Sequence, residues 1–181
     1  MRAQELISGQ FTLKTVQDDD IEDIRIWRNG QLDVLRQAEP ISSSQQKKYF
    51  EHSIWPGMEL ERPENILLTF FEGGRRIGYG GLVHISWEHR RAEVSFLLDP
   101  TYTWDISAYS RYFSVYLSMI KMFAFSVMNL NRIYTETYDF RRKHINILES
   151  CGFEAEGRMR KHVLIDDEYF DSLIHGVINE K

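Results

Sequence analysis

The sequence contains a single cysteine, Cys151, in 181 residues, so it cannot form an intramolecular disulfide and fits a reducing compartment. It has no uninterrupted run of about 18 apolar residues, so no transmembrane helix is expected. The N-terminal segment carries one basic residue, Arg2, and no long apolar stretch, which is unlike a signal peptide. These absences favour a cytoplasmic protein.

Positive charge is also scarce. Lys and Arg number 22 against 27 Asp and Glu, which gives a formal net charge of −5. A general nucleic-acid-binding protein would show a basic face, so that class is disfavoured, although a local basic patch for phosphate groups is still compatible with the composition. The six histidines show no close ligand spacing, and no metal site is expected. The length favours one domain over residues 1–181.

Apolar spacing predicts alternating strands and helices. Short apolar or alternating runs predict strands at 11–16, 66–71, 76–85, 91–98, 132–138, 155–165 and 168–178. Helices are predicted after Asp18–Asp20, from the serine run 42–44 with a Ser43–Gln46 capping box, over about 105–128, and over 141–150. Segment 55–64, with two prolines and a glycine, is interpreted as a loop. The order predicts an α/β (α+β) fold, with a mixed central sheet of about seven strands and helices on both faces.

Four segments of the second half carry a family resemblance. They read NLNRIYTE (129–136), ILESCGF (147–153), EGRMR (156–160) and DSLIHG (171–176). In this order and spacing they resemble the GCN5-related N-acetyltransferase (GNAT) superfamily over nearly the whole chain. The resemblance implies a metal-independent transfer of acetyl from acetyl-CoA to a primary amine, by an enzyme that is a monomer or homodimer.

The first helix suggests the acceptor. Its segment IWRN (26–29) is similar to a branch that acetylates nucleotide-linked amino sugars, with a sister branch that acetylates ribosomal-protein N-termini. A small amine is a further alternative. The resemblance implies that Trp27, Arg28 and Asn29 bind the acceptor, together with His162 on a late strand. The alternative reading is structural, with Trp27 in the core, Arg28 in solvent and Asn29 as a cap.

The expected cofactor loop departs from the family. No glycine stands between Gly81 and Gly152, and Ala108-Tyr109-Ser110-Arg111 occupies the place of the family's glycine-rich phosphate loop. One interpretation starts the long helix near Asp105 and lets small and basic side chains hold the cofactor. The other is a non-catalytic binding protein with a degenerate loop. The cofactor residues implied by the resemblance are Ser107, Ala108, Ser110 and Arg111, Arg141 in place of a family asparagine, and the backbone of Phe96, Leu97 and Leu98 along the pantetheine arm.

Catalysis requires a neutral amine, since an ammonium is not a nucleophile. Glu93 matches the position of a family glutamate and is the first candidate for the general base, with His84 as the second. Either residue could instead be a structural polar group of a strand. Leu148 stands where many members have the tyrosine that protonates the leaving thiolate, so Tyr138 or water is the candidate acid.

Overall fold

The computed structural model describes residues 5–35, 37 and 39–180. These group into two compact units. Unit 1 comprises the described residues up to Ile85 together with Ser95–Trp104, and unit 2 comprises Ser86–Val94 with the described residues from Asp105 onward.

The strands of unit 1 form an antiparallel meander. They are β1 (Glu5–Ser8), β2 (Phe11–Thr15), β3 (Ile66–Glu72) and β4 (Arg75–Ser86), each paired with the next. Strand β1 was not predicted, because it is only four residues long and mostly exposed, which leaves no apolar pattern. Its hairpin with β2 turns at Gly9, whose φ is +60°.

Three short helices follow β2 and precede β3. They are α1 (Ile21–Asn29), α2 (Ser43–Tyr49) and α3 (Trp55–Glu59), with a π-helical segment at Phe50–Ile54 joining the last two. Helix α2 begins one residue earlier than predicted, because Ser42 and Gln45 form the capping box. The loop predicted at 55–64 is wrong over α3, since a proline in the first turn of a helix loses no helical hydrogen bond.

Two glycines of β4 allow neighbouring strands to approach closely. A Cβ on Gly81, whose φ is +137°, would lie 1.9 Å from the carbonyl oxygen of Ile66. A Cβ on Gly78 would lie 2.6 Å from the carbonyl oxygen of Leu97. Real Cβ atoms do not approach this closely, so both positions require glycine. The glycine-rich run therefore serves strand packing within unit 1.

Strand β5 (Arg91–Leu98) is divided between the units after Val94. Unit 2 then continues with α4 (Ile106–Met122), β6 (Arg132–Tyr138), α5 (Arg142–Ser150), β7 (Glu154–Ile165) and β8 (Glu168–Ile178). The described strands form one mixed sheet in the order β1-β2-β3-β4-β5-β6-β8-β7, in which β5 and β6 are parallel. The predicted mixed sheet is confirmed, with eight strands against about seven.

Each unit has an apolar interior. In unit 1, Trp27, Phe50, Ile54, Leu67 and Tyr79 belong to one buried cluster. In unit 2 the inward stripe of α4 is buried, as its three-to-four spacing predicts, and consists of Phe113, Tyr116, Leu117 and Ile120. Gly152, with φ of +85°, follows α5 in the left-handed conformation that is common at helix ends.

Candidate functional site

Asn29, at the end of α1, forms hydrogen bonds with two other residues of unit 1. Its amide nitrogen donates to the Ile41 carbonyl oxygen at 2.8 Å, and its amide oxygen accepts from the Ile41 N–H at 3.0 Å. The same oxygen accepts from Gln37 Nε2, also at 3.0 Å. Asn29 therefore fastens the segment before α2 to the end of α1 and does not cap the helix.

The two residues before Asn29 lie against Tyr79 of β4. Trp27 is buried and its ring stacks on that of Tyr79, with centroids 6.5 Å apart. Arg28 donates to the Tyr79 hydroxyl and to Gln37 Oε1, both at 2.8 Å. Burial raises the pKa of Tyr79, and the Arg28 charge opposes that rise. Arg28 is thus half-buried and hydrogen-bonded to Tyr79 and Gln37. It is not the solvated arginine that the structural reading of the sequence predicts.

The remaining predicted residues of unit 1 are on strands. Leu97 and Leu98 are buried, Phe96 is half-buried, and the Leu98 carbonyl oxygen accepts from Gln31 Nε2 at 2.8 Å. His84 is exposed near the end of β4, with φ of +51°, and its N–H lies 3.3 Å from Asn65 Oδ1. The roles assigned to these residues stay predictions.

In unit 2 the predicted base lies on a parallel strand pair. The register pairs Arg91 with Arg132 and Glu93 with Tyr134. Residues opposite one another share a face of a sheet, as do alternate residues along a strand. The half-buried Glu93 therefore lies on the same face as Tyr134, and we call this side of the unit 2 sheet the Glu93 face.

The same face carries the predicted acid and several further side chains. Along β6 it holds Tyr134, Glu136 and Tyr138, and the β6–β8 register adds Ile174 opposite Glu136 and Ser172 opposite Tyr138. Tyr138 is buried, and its ring centroid lies 5.7 Å from that of Phe140. The structure thus brings Glu93 and Tyr138 onto one face of neighbouring strands.

His162 reaches this face from an irregular part of β7. Met159 pairs with Ser172 and Val163 with Phe170, so three residues of β7 bulge against one of β8. Within the bulge Lys161 has φ of +51°, and its N–H donates to Asp171 Oδ1 at 2.8 Å. Arg158 donates to Asp171 Oδ2 at 2.6 Å. The Lys161 N–H is the main cause that lowers the pKa of Asp171, with Arg158 acting in the same direction.

The bulge brings His162 close to Glu136. Its Nε2 lies 3.7 Å from Glu136 Oε1, and the Glu136 side chain is 14% exposed against 45% for His162. Sequence reasoning found His162 but missed Glu136, because only the strand register and the bulge bring the two together.

The predicted phosphate-binding residues lie in the first turns of α4. The helix begins at Ile106, in agreement with the start predicted near Asp105, and Ser107, Ala108, Ser110 and Arg111 are helical. Asp105 is the N-cap, and its carboxylate accepts from the Ser107 N–H at 2.8 Å. The helix end therefore has a carboxylate of the protein close to it.

Arg141 takes part in a polar cluster between α4 and α5. It donates to the Tyr109 hydroxyl at 3.3 Å, and that hydroxyl lies 2.7 Å from Nδ1 of the buried His144. The His144 ring stacks on Phe113, with centroids 4.1 Å apart. Burial lowers the pKa of His144 well below its usual value, and the Arg141 charge acts in the same direction. A neutral His144 accepts from Tyr109, which leaves the Tyr109 oxygen to accept from Arg141.

Metal-binding and membrane-spanning functions find no basis in the described residues. No group of three or more His, Cys, Asp or Glu side chains lies together as metal ligands would in the ranges that the structure covers. No helix in those ranges is both long enough and apolar enough to cross a membrane.

Comparison with known proteins places the chain among acetyltransferases. Residues 13–174 match the model of the acetyltransferase (GNAT) domain family. The chain is 26% identical over 95 residues to the spermidine N(1)-acetyltransferase of Vibrio cholerae, and 27% identical over 101 residues to that of Escherichia coli K12. The alignments cover 52% and 55% of this chain, and 52% and 51% of those proteins, so they span about half the length of the curated relatives.

A solved structure is similar over nearly the whole chain. The crystal structure of spermidine N-acetyltransferase from Vibrio cholerae in complex with CoA and spermine has a TM-score of 0.78 and 20% sequence identity. The match covers 94% of this chain and 96% of that one. At this identity the similarity establishes the fold.

Proposed function

Because this chain belongs to the GNAT acetyltransferase domain family, we propose that it is an acetyl-CoA-dependent N-acetyltransferase whose acceptor is a linear polyamine. The observation that carries the proposal is the family match over residues 13–174, nearly all of the chain. The names of the relatives, which are spermidine acetyltransferases, support the acceptor class.

The polyamine replaces the acceptor expected from the sequence. The relatives give no support to a nucleotide-linked amino sugar, nor to the branch suggested by the IWRN segment. The formal net charge of −5 favours a cationic acceptor, because an excess of negative charge attracts polycations at moderate salt. Protein N-termini and other small amines are the alternative acceptors.

We propose Glu93 as the group that takes the proton from the acceptor. A polyamine nitrogen is protonated at neutral pH, so it must lose a proton before it can attack. Glu93 is half-buried at the last registered pair of the parallel strands β5 and β6, where a carboxylate can accept a proton directly or through water. Acetyl transfer forms a C–N bond and breaks the C–S bond. Of the two protons that the nitrogen loses, one passes through the base to solvent and the other ends on sulfur.

Tyr138 is the candidate for delivering the proton to sulfur. Its hydroxyl-bearing ring lies on the Glu93 face at the end of β6, and Leu148, at the position of the usual family tyrosine, is fully buried and cannot donate. Exchange of Tyr138 for Phe tests this role separately from that of Glu93.

Two arginines of unit 2, Arg141 and Arg111, are the groups proposed to bind the diphosphate of coenzyme A. Arg141 is half-buried and held by Tyr109, and a guanidinium with one N–H committed has four others for phosphate oxygens. Arg111, in the second turn of α4, offers a further charge. When bound, the coenzyme supplies the activated acetyl group. The residues of this chain hold it and keep the diphosphate in place.

One observation favours the non-catalytic alternative. The Asp105 carboxylate already caps α4 at the Ser107 N–H, where an incoming diphosphate would meet its negative charge. A protein of this fold that binds acetyl-CoA weakly, or not at all, is therefore the second candidate.

The deciding experiment measures thiol release from acetyl-CoA by the full chain. Spermidine, spermine, n-butylamine, a nucleotide-linked amino sugar and a peptide with a free N-terminus are supplied in turn. Faster release with spermidine and spermine supports the proposal, and release with another acceptor alone replaces the acceptor class. The non-catalytic candidate would be favoured by two results together. None of the acceptors would raise the rate of thiol release above the rate without acceptor, and millimolar acetyl-CoA would not raise the melting temperature of the protein.

A further inference from the structure

We infer that Glu136 is a specificity-determining residue, whose carboxylate binds a second, protonated nitrogen of the acceptor while the first nitrogen reacts near Glu93. This assignment rests on the proposed function. It adds to that function the residue by which the enzyme would distinguish a polyamine from a monoamine.

The strand geometry places two carboxylates along one line. Glu93 lies opposite Tyr134, and Glu136 follows Tyr134 by two residues on the same face. The ring of Tyr134 and the half-buried Ile174, opposite Glu136, therefore border the path between the carboxylates with apolar surface. A polyamine has the complementary pattern, with charged nitrogens separated by methylene chains.

The strand geometry and the β7 bulge place two basic side chains, Arg132 and His162, near Glu136. Arg132 lies on the Glu93 face but is paired with Glu156, and that pair lies over Gly176. The contact between Glu136 and His162 is 3.7 Å, longer than a hydrogen bond, and His162 is nearly half exposed. An ammonium group can therefore displace the imidazole and donate to the carboxylate, with His162 turning into solvent.

A second, independent observation lies beside Glu136. The hydroxyl oxygen of Ser172 is fully buried and has no hydrogen-bond partner among the residues that the structure describes. Ser172 is on the Glu93 face, on the strand next to Glu136 and diagonal to it. Buried hydroxyls almost always have a partner, and an N–H of the acceptor would supply one here once the acceptor has displaced His162.

The bulge of β7 supports the same assignment. An uninterrupted β7 would not need Lys161 at a positive φ, which is uncommon for a residue other than glycine. The bulge is held by Asp171 through the Lys161 N–H and through Arg158. Bulges redirect side chains, and here the redirected His162 lies on the more exposed side of its contact with Glu136, from which it can turn into solvent.

The test compares a triamine with a monoamine in the Glu136→Gln variant, which keeps the shape and removes the charge. With spermidine, kcat/KM should fall about 10- to 100-fold through KM, which is the effect of losing a hydrogen bond to a charged group. With n-butylamine it should stay within about twofold, because a monoamine has no second charge to lose. Glu168→Gln is the matched control, since Glu168 is exposed at the start of β8 and loses the same charge.

The outcomes separate this inference from the proposed function. Equal losses for both amines, or no loss for either, would overturn the role of Glu136 and leave the acetyltransferase intact. If no amine is acetylated, the role of Glu136 is tested by calorimetry of spermidine binding to the natural chain and to Glu136→Gln. Weaker binding by the variant supports the assignment, and unchanged or absent binding overturns it. Should Glu136→Gln fold poorly, Glu136→Asp retains the charge on a shorter side chain and should raise the spermidine KM by a smaller factor.

Discussion

Replacing Asn29 by alanine tests the network at the end of α1. The change removes three part-buried hydrogen bonds, two to the Ile41 backbone and one to Gln37. Each such bond contributes about 1 kcal/mol net, but water replaces part of the loss at a half-exposed position, so the free energy of unfolding should fall by about 2 kcal/mol. For a chain of this size that corresponds to a drop of about 4–8 °C in melting temperature.

The assay is thermal unfolding followed by circular dichroism, with Asn146→Ala as the control. Asn146 is an exposed residue of α5, so its replacement should change the free energy by no more than about 0.5 kcal/mol. If Asn29→Ala melts like the wild type, the contacts to Ile41 do not hold the segment. A raised acceptor KM in a variant of unchanged stability would instead indicate that Asn29 contacts the acceptor, as the family resemblance implies.

Three further predictions concern catalysis, packing and pH. Glu93→Gln should lower kcat about 100- to 10,000-fold and shift the pH–rate profile to higher pH, and a wild-type kcat at every pH would make Glu93 structural. Gly81→Ala should cost on the order of 4 kcal/mol or prevent folding, because its Cβ would overlap the Ile66 carbonyl, whereas Gly57→Ala, in open space, should be tolerated in the same denaturant titration. The lowered pKa of buried His144 means that the unfolded chain binds its proton first as pH falls. The contribution of neutral His144 to the free energy of unfolding is therefore complete above pH ~6.5 and declines below it by up to about 1.4 kcal/mol per pH unit. A urea midpoint that does not change between pH ~7.5 and ~5.5 would contradict this.

The spacing of apolar residues along the sequence predicted the long helices and strands of this fold. Helix α4 and strands β5 and β6 were found because each presents a long periodic or apolar pattern that packing preserves. The failures were short elements with weak patterns. Strand β1 has little buried surface, and α3 follows a π-helical segment and contains Pro56 and Gly57, which in isolation indicate a loop.

The candidate site was only partly accessible to sequence reasoning. Glu93 could be named from the family resemblance, and Tyr138 was named as a substitute for the tyrosine that is missing at Leu148. Glu136 could not be named, because its partner His162 lies two strands away and reaches it only through the β7 bulge. The Tyr109–His144–Arg141 cluster was missed for the same reason, since Tyr109 and His144 are 35 positions apart. Contacts of this kind depend on register and helix packing, which a single sequence does not encode locally.

The bulge in β7 also lies at the outer border of the sheet that the described strands form. β7 ends the order of the described strands, so its outer backbone groups could otherwise recruit a strand from another molecule. Three looped-out residues, two of them basic, interrupt that row of donors and acceptors and place positive charge along it. Shortening the bulge would therefore leave a longer, flatter border, and the shortened chain should aggregate at lower concentration than the natural one.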